Sequence, residues 1–134
     1  MSGIAGVVRF DREIAHDSTV TDLLRGLEHR ALDGSITRRH VRAKFGYAHA
    51  TLRRNHPASD HIDVCTRTNR VIVVDASLHN ARELAEACGL TSPHDVQPAP
   101  LAQVLLAAYE KWGVHFADKL RGDFALVIWD PGTR

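Results

Sequence analysis

The chain has little of several things that would assign it quickly. Two cysteines, Cys65 and Cys88, stand far apart in 134 residues, so they read as two buried thiols in a reducing cytosol rather than a disulfide framework. No charge of one sign dominates: 17 Lys+Arg against 16 Asp+Glu leave a formal +1, which gives no electrostatic case for nucleic acid or an anionic membrane. The basic pairs Arg38-Arg39 and Arg53-Arg54 lack interleaved aromatics and read as solvated strand ends. No apolar run is long enough to span a bilayer, and the N-terminus lacks the charged-then-apolar layout of a signal peptide, so the expected location is the cytoplasm. Nine histidines are scattered without metal-type spacing, and no metal site is expected. Gly3-x-x-Gly6 is no dinucleotide fingerprint, because it lies inside a strand pattern instead of between strand and helix.

What remains is ordinary for one globular domain: 44% apolar and 25% charged residues. Residues 3–10 read as a strand, with β-branched Ile4, Val7 and Val8. Val20, Leu23, Leu24 and Leu27 share a face, which predicts a helix over about 19–28 with Ser18 as N-cap. Asp33-Gly34 is a turn. Val41, Ala43, Phe45 and Tyr47 alternate with Arg42, Lys44 and Gly46, a half-buried strand with one polar face. Residues 55–60 are loop. Ile62 and Val64, then Val71-Ile-Val-Val74, flank Arg67-Thr-Asn69 as a hairpin whose second strand is central. Asn80 with Glu83 resembles a capping box opening a helix that Gly89 closes. After a proline-bearing loop, Leu101, Val104, Leu105, Ala108 and Trp112 mark a second helix ended by Gly113. A helical turn near 115–120 leads into Phe124–Trp129, read as a buried strand.

Ser2 directly follows Met1. With Met1 removed, its hydroxyl would lie beside a free α-amine of pKa ~8, which can act as its own general base. With Met1 retained, that chemistry is unavailable.

Five blocks in order then resemble a known family: Met1-Ser-Gly-Ile-Ala-Gly6, His29-Arg-Ala-Leu-Asp-Gly34, Val74-Asp-Ala-Ser-Leu-His-Asn80 with Arg82-Glu83-Leu84, Val104–Gly113 and Leu120–Asp130. Together they are similar to the class II glutamine amidotransferase domain of asparagine synthetases. The resemblance implies an α+β fold of the N-terminal nucleophile type, an αββα sandwich of two antiparallel sheets. It makes 1–134 one such domain, C-terminally truncated, since the family continues with a partner strand for Phe124–Trp129. The family's chemistry is glutamine hydrolysis by an N-terminal Cys, with ammonia passed to a C-terminal synthetase domain that uses ATP and Mg. No cofactor is expected in residues 1–134.

Four functional positions depart from the family pattern. Ser2 replaces the Cys nucleophile, and an alkoxide is harder to generate than a thiolate. Asp75-Ala76 replaces the Asn-Gly pair of the oxyanion hole. Losing one donor there costs ~3–4 kcal/mol, and a carboxylate repels the developing oxyanion as well. Thr51 stands where the substrate-clamping Arg is expected, and Leu101 near where an Asp would hold the glutamine amine. Both charges that would grip a zwitterionic amino acid are thus replaced. The pattern is that of a domain that keeps its scaffold and loses its glutaminase chemistry, as in β-lactam synthetases and lasso-peptide cyclases. Two rival expectations stand beside it: an active Ser2 amidohydrolase, which requires Met1 cleavage, and a non-catalytic module completed by a partner or a second copy.

Overall fold

A computed structural model describes residues 2–11, 16–40, 42–49, 61–92, 94–95, 97 and 99–133. The expected loop at 55–60 and the Thr51 position lie outside them. Among the described residues, six strands form two three-stranded antiparallel sheets. The first sheet joins β1 (Gly3–Val8), β3 (Ala43–His49) and β2 (Gly34–His40), in the order β1-β3-β2. The second joins β4 (Ile62–Val64), β5 (Val71–Leu78) and β6 (Gly122–Trp129), with β5 central.

The period of two along each strand sorts the core into layers. Ala43, Phe45 and Tyr47 meet Ile62, Val71 and Val73 between the sheets. Ile72 and Val74, on the opposite face of β5, meet Ala102, Leu105, Leu106 and Ala108 of helix α3 (Leu101–Trp112). On the outside of the first sheet, Val20 and Leu24 of helix α1 (Asp17–Arg25) cover Ala48. Helix α2 (Ala81–Ala87) packs Leu84 and Ala85 against Val104. The layers run helix, sheet, sheet, helices, an α+β sandwich as expected.

Four local expectations are corrected. The polar face of β3 is covered by α1: Lys44 is 6% exposed, and a Cβ on Gly46 would come within 2.6 Å of Leu24. Helix α1 starts at Asp17, after His16 as N-cap, and Ser18 lies inside it. Strand β2 has no counterpart in the sequence reading; Ile36 is its lone large apolar residue, and its pairing with β3 makes it a strand. Strand β6 is not buried. Among the described residues it pairs only with β5, and Phe124 and Val127 stay 42% and 40% exposed.

Candidate functional site

β1 is entered through Ser2, and β5 carries Asp75 on its inter-sheet face, in the same alternation as Val71 and Val73. The Ser2 hydroxyl donates to Asp75 Oδ1, linking residues 73 positions apart across the two sheets. Tyr47 of β3 is buried beside Ser2. Burial pushes the Tyr47 phenol up, the nearby Ser2 hydroxyl pulls it down, and the Asp75 charge adds to the rise; the net shift is upward. The Tyr47 ring stacks on His61, with centroids 4.6 Å apart and planes 8° apart, and on His49 at 6.1 Å. His61 Nδ1 lies 3.2 Å from the Val74 carbonyl and donates to it, which fixes that tautomer. Arg30 Nη1 lies 3.5 Å from the Ser2 carbonyl.

Such an arrangement holds a hydroxyl but activates it weakly. A carboxylate is a weak base for an alcohol, whose proton is far more tightly held than its own. A negative charge so close to the hydroxyl also disfavours a further negative charge developing there.

The structure brings Ser2 and Asp75 together. Ala76 takes the opposite parity on β5 and packs with the helix-layer core. Leu101 opens α3 and packs in that same core, so sheet two separates it from the Ser2–Asp75 contact. Tyr47 and His61 belong to the cluster and were absent from the candidate residues read from sequence. The alternation along 41–47 put Tyr47 on the inward face; nothing in the sequence marked its partners. Asp75 caps no turn, and His79 is exposed. Cavities of about 260 and 370 Å³ lie elsewhere, one beside Ala81, Ala85 and Thr91, the other between Asp63 and Glu110. Among the described residues there is no cluster of three metal-binding side chains. No helix among them is long and apolar enough to cross a membrane.

Comparison with known proteins shows the family. A family model described as a glutamine amidotransferase domain matches residues 1–134. The chain is 33% identical over 132 residues to "Asparagine synthetase [glutamine-hydrolyzing] 2" of Oryza sativa subsp. japonica. That match covers 97% of this chain and 22% of the relative.

Proposed function

The chain belongs to the glutamine amidotransferase domain family, and from that premise we propose that it is a glutaminase-silent member: the N-terminal domain of an ATP-dependent, amide-forming ligase. The Ser2 hydroxyl held on the Asp75 carboxylate carries the reading. A nucleophile of this family needs a free proton acceptor and an oxyanion site lined by donors; here a weak base and a negative charge occupy those roles. The replacement at Thr51 points the same way, since its hydroxyl carries no charge to clamp an amino acid's carboxylate. On this reading the α+β sandwich is an N-terminal nucleophile fold whose reaction has lapsed.

The ligase is of the asparagine-synthetase type, in the manner of lasso-peptide cyclases or β-lactam synthetases, which join a carboxylate to an amine already present in the substrate and need no ammonia. ATP and Mg belong to the C-terminal synthetase domain, and the cytoplasm is the expected setting. The chain spans 22% of the length of the rice relative, which leaves room there for such a domain.

The test is ammonia release. The protein incubated with glutamine is expected to release no more ammonia than buffer, and mass spectrometry is expected to find Met1 retained. Ammonia production that Ser2→Ala abolishes would overturn the reading and establish a Ser2 amidohydrolase.

A further inference from the structure

We propose that Ser2, Asp75 and Tyr47 form a latch that holds the two sheets closed at the nucleophile end. Four side chains meet there, two from each sheet. Ser2 enters β1 and Tyr47 lies in β3 of the first sheet; Asp75 lies in β5 and His61 immediately precedes β4 of the second. Ser2 donates to Asp75, the buried Tyr47 phenol lies beside Ser2, and the Tyr47 ring stacks on His61. His61 in turn donates to the carbonyl of Val74, the residue before Asp75. The circuit therefore returns to β5, one residue from where it began.

The buried residues beside them are apolar: Ala43 and Phe45 against Ile62, Val71 and Val73. Such contacts favour closure without fixing how the sheets are set against each other. Directional, partly charged hydrogen bonds do fix it. A pair at the position of a lapsed nucleophile has thus become a conformational tie. The inference rests on the silent-domain reading only in taking Ser2 as not engaged in turnover.

Two measurements test it. The first is a double-mutant cycle by urea unfolding with Ser2→Ala, Asp75→Ala and both together. The expected coupling is about fivefold or more in the unfolding equilibrium constant, the double variant being little worse than the poorer single one. Should Asp75→Ala fail to fold, Asp75→Asn, which keeps the shape and removes the charge, takes its place.

The second is titration of the Tyr47 phenol by ultraviolet absorbance in a Tyr109→Phe background, since the chain has two tyrosines. Asp75→Asn is expected to lower that pKa by removing a nearby negative charge. Ser2→Ala is expected to raise it, because the Ser2 hydroxyl, given to Asp75 while Tyr47 is neutral, can turn to the phenolate once Tyr47 ionises. Additive unfolding effects, or a Tyr47 titration that neither substitution moves, would overturn the latch. Glutamine turnover is assayed on the same variants: ammonia release lost on Ser2→Ala sinks the silent-domain reading, whereas the latch falls only on additivity or an unmoved phenol.

Discussion

Asp75 is one carboxyl group that alters the chemistry of its neighbour. A thiol placed at Ser2 would face that carboxylate, and a nearby negative charge disfavours a second one. Ser2→Cys alone is therefore expected to give a sluggish thiol and no ammonia from glutamine. Adding Asp75→Asn removes the charge, and the rate of alkylation by iodoacetamide at pH 8 is expected to rise about threefold or more, following the thiolate fraction. Equal alkylation rates in the single and double variants would show that Asp75 does not govern the position. Ser2 and Asp75 were both legible in the sequence, since each breaks a family block at a fixed place. Tyr47 and His61 were not: their roles depend on two sheets facing one another, which no local pattern encodes.

Among elements, those with a strong apolar period were legible and those made by partners were not. Helix α3 and strand β5 match their sequence patterns because their buried faces are nearly all apolar. Strand β2 escaped because Thr37, Arg38, Arg39 and His40 carry no such period. Asn80 was read as half of a capping box, yet its side chain makes no cap and reaches across sequence instead. Its Nδ2 donates to the Lys119 carbonyl at 2.8 Å and its Oδ1 accepts from the Arg121 amide at 3.0 Å. It thereby pins the entry to β6 beside the exit from β5. Asn80 is 6% exposed and both bonds are partly buried, so truncation removes two hydrogen bonds that water replaces only in part. Asn80→Ala is expected to cost about 2 kcal/mol, seen as a lower urea midpoint at unchanged slope. A loss under about 0.5 kcal/mol, the scale of an ordinary surface substitution, would mean that these bonds do not hold the junction.

For the molecule as a whole, the far end of the second sheet is tied by charge, and this makes stability depend on pH. Asp130, directly after β6, is 8% exposed. It accepts from Arg70 Nε at 2.8 Å, Tyr109 Oη at 3.3 Å and the Gly132 amide at 2.9 Å. These join the β4–β5 turn, α3 and the chain leaving β6. Burial alone would push the Asp130 carboxyl up, but the Gly132 amide, the Arg70 guanidinium and the Tyr109 hydroxyl outweigh it, and the folded pKa lies below the ordinary value. The folded state then binds fewer protons at this group than the unfolded chain, so its stabilisation is fully present above the ordinary carboxyl value of ~3.9 and is lost as pH falls through the folded pKa. Asp95 is depressed as well, by the Ser92 amide and the Thr91 hydroxyl, but it is exposed, stands apart from this network and cancels in a comparison that changes Asp130 alone. Asp130→Asn keeps the shape and removes the titration. It is expected to be less stable than the native chain at pH 7, with the gap narrowing as the solution is acidified below about pH 4, where the native carboxyl takes up its proton. Unfolding curves measured from pH 7 to pH 2.5 decide the matter: two stability profiles that stay parallel into acid would mean that the Arg70–Asp130 tie contributes nothing that depends on charge.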